Sequence, residues 1–216
     1  MVHNLLINYK DIDLETWKEF AAGWNAILYR LRACKDYSEE FIRSIQNASN
    51  APPPDDRYVQ EKSLFGFFMN GLSAIESACY ALYAIGALIN LSAFPFSTEK
   101  EKKKICPTIV YRLFKKAYPT ASITVTLKNL FGDQKESINA DSRFIRWESF
   151  RNKLAHRISP PRHIFSGGEN DGKALWLGIN LDENTTHAYY DWLILTVNRL
   201  IQNIRQFVED KVRVSK

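Results

Sequence analysis

The chain has 216 residues and a mass of 25.0 kDa, with 45% hydrophobic, 13% aromatic and 25% charged residues. This is globular composition, which excludes a low-complexity or disordered chain, and the length suits a single domain of 1–216 with its own core, although two small domains would also fit. Twenty-nine Lys and Arg against 24 Asp and Glu leave a formal charge of +5 and a pI of about 9.0, an excess that permits an anionic partner without demanding one.

Taken in chain order, the pattern predicts about seven helices. Residues 1–15 hold no basic region followed by an apolar run, so no signal peptide is expected there. Asp13 is placed to cap a helix carrying Trp17, Phe20, Trp24, Ile27, Leu28 and Leu31 at helical spacing. Ser38, followed by Glu39 and Glu40, is expected to cap a second, shorter helix through Ile45. The run from Asn50 through Pro52-Pro53-Pro54 to Asp56 is a break. A long helix is predicted from about Tyr58 to about Ile89, with Leu64, Phe67, Phe68, Leu72, Ile75, Cys79, Leu82 and Ile85 on its apolar side.

Ser77 to Thr98 holds no charged residue, which is long enough to ask about a membrane span. Tyr80, Tyr83, Gly86, Asn90, Ser92 and Pro95 within it favour the buried central helix of a soluble bundle, with no membrane partner. Thr98 and Glu101 have capping-box spacing and open a basic run, Lys100 to Lys104, before Pro107. Ile109 to Tyr118 reads as helix. Ser122 to Phe131 is ambiguous, since Ile123-Thr124-Val125-Thr126 favours a strand locally while the isolated position favours a short helix. Asp141 is expected to cap a helix ending near Ile158, ahead of Pro160-Pro161. Residues 162–181 read as a β-hairpin with a glycine-rich tip at Gly167-Gly168 and Gly172. A final helix is predicted from Glu183 to about Val212. The fold class that follows is all-α, an up-and-down helical bundle with one small β-hairpin insertion.

The composition removes most familiar chemistries. Cys34, Cys79 and Cys106 are odd in number and far apart, which disfavours a disulfide scaffold and a Cys-rich zinc site and suits reduced thiols in the cytoplasm. The four histidines, His3, His156, His163 and His187, form no H-x-x-x-H or H-E-x-x-H pair, so no metal is expected. There is no P-loop, no G-x-G-x-x-G and no G-x-S-x-G elbow, and no cofactor is expected.

One segment stands apart: Phe150-Arg151-Asn152-Lys153-Leu154-Ala155-His156-Arg157. Asn152 and His156 fall one helical turn apart on the same face, with Arg151 beside them. Trp147, Phe150 and Leu154 continue a neighbouring apolar stripe. A histidine titrates near neutrality and exchanges a proton with a hydroxyl, and a guanidinium holds phosphate in a bidentate fork. The plainer alternative is helix trim, since Lys153, His156 and Arg157 suit the negative end of a helix.

This stretch resembles the R-x₄₋₆-H motif of the HEPN superfamily, whose name stands for higher eukaryote and prokaryote nucleotide-binding domains. The resemblance covers residues 58–158 and 183–212 as the bundle core, with 1–50 as a helical extension and 162–181 as an insertion. It implies that Arg151 and His156 are a catalytic pair supported by Asn152, and that two motifs meet across a homodimer interface. It further implies a metal-independent endoribonuclease that cleaves RNA by 2′-hydroxyl attack and leaves a 2′,3′-cyclic phosphate, as a toxin–antitoxin or defence component with an antitoxin partner. A non-catalytic member that binds a nucleotide or RNA, or serves as a dimerisation scaffold, is the alternative. Glu76, an acid amid Ile75, Ala78 and Cys79, is a further site candidate that would tune the pair, or else a structural partner for a buried Arg or Tyr. Lys100 to Lys104 with Arg112, Lys115 and Lys116 reads as a solvated face or an RNA-backbone patch. Arg162 and His163 read as loop surface or as flanks of the cleft after Pro161, His187 as surface, and the Trp and Tyr residues as packing.

Overall fold

The computed structural model describes Val2 and residues 13–49, 51–133, 138–156, 161–168 and 173–214. Among these residues there are seven helices: α1 (Leu14–Ala48), α2 (Pro54–Ile89), α3 (Glu99–Lys102), α4 (Pro107–Ala117), α5 (Ser122–Phe131), α6 (Ser142–His156) and α7 (Glu183–Val214). Three short strands, β1 (Arg162–Ile164), β2 (Ala174–Trp176) and β3 (Ile179–Asn180), form an antiparallel sheet in that order. The protein is thus mainly helical with one small sheet. The predicted end of the motif helix at Ile158, together with Pro160, the tip residues 169–172, Asn50 and His3, lies outside the described residues.

Local signals account for most helix starts. The Asp13 carboxylate accepts from the Thr16 amide at 2.8 Å, capping α1. Pro54 is the first residue of α2, where its missing N–H costs nothing, and Asp55 and Asp56 suit the positive helix end. Thr98 and Glu101 form a reciprocal capping box on α3. Asp141 accepts from the amides of Arg143 and Phe144, at 2.8 and 3.2 Å, and caps α6.

Two expectations are corrected and one open reading is decided. Ser38 does not start a helix: it lies buried inside a continuous α1, and its hydroxyl donates to the Lys35 carbonyl at 2.7 Å. Nothing between Leu31 and Ile45 breaks the helix, so a capping-type residue there simply bonds back to the preceding turn. Residues 122–131 are helical, with Ile123, Thr124, Leu127 and Leu130 buried at helical spacing. The uncharged stretch 77–98 holds the end of α2 at Ile89, where the sequence predicts it, and a turn at Asn90. The insertion is a three-stranded sheet, since Leu177 and Gly178 (φ 52° and 78°) make a two-residue turn that returns Ile179 beside Trp176. By length and composition α2 is the one helix among the described residues able to cross a bilayer, and 67% of its apolar window is buried inside the protein.

The chain folds as two compact units. The first comprises residues 1–28, 74–144 and 196–216. Its core is built on Phe94 and Phe114, both fully buried, with ring centroids 4.9 Å apart, and Phe207 packs on Phe114 at 5.3 Å. Polar contacts tie its periphery: Lys102 bonds the Glu19 carboxylate at 2.6 Å, and Tyr80 donates to the same carboxylate at 2.8 Å. Tyr111 and Lys115 both donate to the buried Asp133 carboxylate at 2.5 Å.

The second unit comprises residues 29–73 and 145–195. Phe68 lies at its centre, with ring centroids of Phe150, Trp147, Phe67, Tyr189 and Trp176 between 4.7 and 6.0 Å away. The indole N–H groups of Trp147 and Trp176 find no acceptor among the described residues, so packing holds these rings. The expectation that Trp and Tyr residues pack holds for these rings but not for Tyr29 or Tyr58, which are 73% and 67% exposed, nor does Leu28 of α1 face a core.

Gly71 faces Trp147 so closely that a Cβ there would be driven into the indole ring. Gly71→Ala is therefore expected to destabilise the protein by about 1–3 kcal/mol despite the better helix propensity of alanine, measured by urea denaturation. The Lys102 contact, then that of Tyr80, holds the Glu19 carboxyl below its ordinary range. A depressed carboxylate contributes stability above its unfolded pKa and loses it as pH falls through the folded value. Stability should decline below about pH 4.5, and Glu19→Gln should flatten that acid limb in thermal melts recorded from pH 7 to pH 3.

Candidate functional site

The motif lies in the last turns of α6, within the second unit. One stripe of that helix is anchored: Trp147 is fully buried, Phe150 is 2% exposed, and Leu154 is half-buried one turn on. Phe68 packs edge-on against both Trp147 and Phe150, and Phe150 also meets Trp176 and Tyr189. Arg146, on another face, donates to the Tyr189 hydroxyl at 3.4 Å. The backbone of α6 therefore has little freedom to rotate about its axis.

With the stripe fixed, the polar residues follow. Arg151 is half-buried at the border between core and solvent, and Asn152, Lys153 and Ala155 are exposed. His156 is the last residue of α6, one turn beyond Asn152, and its side chain lies outside the described part of the structure, as does Arg157. The helix thus places a guanidinium and an amide side by side, with the backbone of a histidine a turn away. Glu76 belongs to the first unit, half-buried in α2 between Ile75 and the buried Ala78 and Cys79. Its charge adds to the effect of burial in pushing the Cys79 thiol up.

Arg162 is not loop surface. It is half-buried at the start of β1, and its guanidinium donates to the Gln60 side-chain carbonyl at 2.5 Å. Burial lowers its pKa, against the opposing charge of Glu61. Gln60 is itself fully buried, and its amide nitrogen donates to the carbonyls of Ser44 and Ser49, at 3.3 and 3.0 Å. One side chain thereby joins the end of α1, the turn after it and the strand that follows the motif helix. Gln60 was not singled out from sequence; the usable signal was a polar residue on the α2 stripe that continues through Ser63, Leu64, Phe67 and Phe68. His163, next in β1, is exposed, as is His187, which sits 3.4 Å from Glu183. Both agree with a surface reading.

Among the described residues no group of three or more His, Cys, Asp or Glu side chains is placed to hold a metal ion. Compared with protein-family models, curated proteins and solved structures, the chain matches none.

The Gln60 network makes a definite prediction. Gln60→Leu keeps the volume but removes three hydrogen bonds and the neutral partner of a half-buried cation. It should cost on the order of 2–3 kcal/mol in denaturant unfolding, more than an apolar replacement in a buried site normally would.

Proposed function

We propose that the protein is a metal-independent endoribonuclease of the HEPN type, acting in the cytoplasm as a homodimer. The reading rests on one observation: the Arg151-Asn152-x-x-x-His156 motif occupies the end of a helix whose other stripe is locked among aromatic rings. A helix held this way fixes the backbone that carries Arg151, Asn152 and His156, a condition that positional catalysis requires. Arg151 at the core border and exposed Asn152 beside it suit contact with a strand that arrives from solvent.

In this reading His156 takes the proton from a ribose 2′-hydroxyl as that oxygen attacks the adjacent phosphorus. The P–O bond to the 5′-oxygen breaks, the leaving oxygen takes a proton from water, and the products are a 2′,3′-cyclic phosphate and a 5′-hydroxyl. Arg151 holds the non-bridging oxygens as negative charge accumulates on them. Asn152 orients the imidazole or donates to the same phosphate. Toxin–antitoxin or defence systems are the setting that the motif's resemblance suggests.

Incubation of purified protein with RNA in EDTA is expected to give cyclic-phosphate ends. His156→Ala should lower the cleavage rate by about 10²–10⁴-fold with the circular dichroism spectrum unchanged. Arg151→Lys should also lower it, because an ammonium cannot make the two-pronged contact. If the wild type cuts no RNA and the same substitutions alter only stability, a nucleotide- or RNA-binding scaffold replaces the enzyme reading.

A further inference from the structure

The charge of this chain is concentrated. Between Lys100 and Lys116 there are seven basic residues and one acid, Glu101, a formal +6 against +5 for the whole chain, so the remainder sums to −1. The entire positive surplus thus lies on α3, α4 and the link between them, all in the first unit.

The structure divides these seven residues into two kinds. Lys102 is engaged internally, 2.6 Å from Glu19, 3.2 Å from Glu99 and over the Phe96 ring. Lys115 is engaged with Asp133 at 2.5 Å. Lys100, Lys103, Lys104, Arg112 and Lys116 are exposed and make no ion pair with any described carboxylate. The acid among them is occupied, since the Glu101 carboxylate accepts from the Ser97 and Thr98 amides, both at 2.9 Å. On α4, Thr108, Arg112 and Lys116 recur at every fourth residue and are all exposed, opposite the buried Val110, Tyr111 and Phe114. Arg112 and Lys116 are therefore about 6 Å apart along the helix axis.

We propose that the exposed cations of this α3–α4 segment bind the phosphodiester backbone of single-stranded RNA. Five exposed cations, Lys100 on α3, Lys103 and Lys104 in the link and Arg112 and Lys116 on α4, match a polymer of spaced charges better than one small anion, which needs convergent donors. A bilayer surface fits less well. An interfacial helix inserts apolar side chains, and no large apolar residue between 100 and 116 is among the exposed ones. The proposal goes beyond the cleavage reading and rests on it for the choice of RNA as the polyanion, while the cations themselves lie outside the α6 motif.

The test is a salt titration of the full-length protein against a labelled 20-nucleotide oligouridine. The 2′-positions are O-methylated, so that 2′-hydroxyl attack cannot destroy the probe. Five phosphate contacts predict a slope of log Kobs against log salt near −3.5, at about 0.7 per contact for single strands. Replacing Lys100, Lys103, Lys104, Arg112 and Lys116 together by Gln should abolish most of that slope and weaken binding at least tenfold at low salt. The helical circular dichroism spectrum should be kept, because none of the five is buried. Lys102→Gln removes one charge as well, but should lower stability and leave the slope in place. A folded quintuple variant that binds like the wild type overturns the proposal. So does a wild type that binds phosphatidylserine vesicles and ignores the oligonucleotide. Cleavage is read separately, so a protein that binds here but never cuts RNA loses the enzyme reading alone.

Discussion

Phe68 governs the geometry of the second unit because rings from four elements take their places around it. Trp147 and Phe150 come from α6, Trp176 from β2, Tyr189 from α7, and Phe67 is its neighbour on α2. All but the stacked Trp176 contact are edge-to-face, and such contacts depend on ring orientation as well as distance, so they restrict rotation where aliphatic packing would permit sliding. The consequence reaches the candidate site directly. The orientation of Arg151 and Asn152 is the complement of the orientation of Trp147 and Phe150, and those two rings are set by Phe68.

A second constraint is polar. Gln60 is withdrawn from water and Arg162 is half-buried against it, so loss of the bonds between and around them is costly. Aromatic packing would accept several placements of a three-residue strand. A guanidinium that must reach one particular amide carbonyl accepts far fewer, so β1 is registered against α2 by hydrogen bonding where its own length is too short to do so. The strand that succeeds the motif helix thus has a fixed origin.

Features that depend on neighbours in the chain were the legible ones. The caps at Asp13, Thr98 and Asp141, the proline break before α2 and the end of α2 at Ile89 all follow from residues within one or two turns. The misreadings share a cause. Ser38 looks like a cap only if the flanking periodicity is ignored. Ile123 to Thr126 stayed open between strand and short helix, and burial on a 3.6-residue period decides for the helix over local preference. The third strand was hidden because its turn carries a leucine at positive φ, which no turn rule favours. As for the site, the motif was legible as spacing, and its apolar stripe as periodicity. The Gln60–Arg162 bond joins residues 102 positions apart, and no local pattern encodes such a partnership.

The burial of two of the three thiols gives the molecule an internal reporter. Cys34 and Cys79 are enclosed, and loss of hydration raises their pKa far out of the reactive range, whereas Cys106 stands open to solvent at the first turn of α4. An alkylating reagent therefore meets a single accessible sulfur while the chain is folded and three once it opens. The stoichiometry of modification counts folded molecules directly, and a dye at Cys106 lies between Lys104 and Arg112 in the sequence, within the segment that holds the chain's positive surplus.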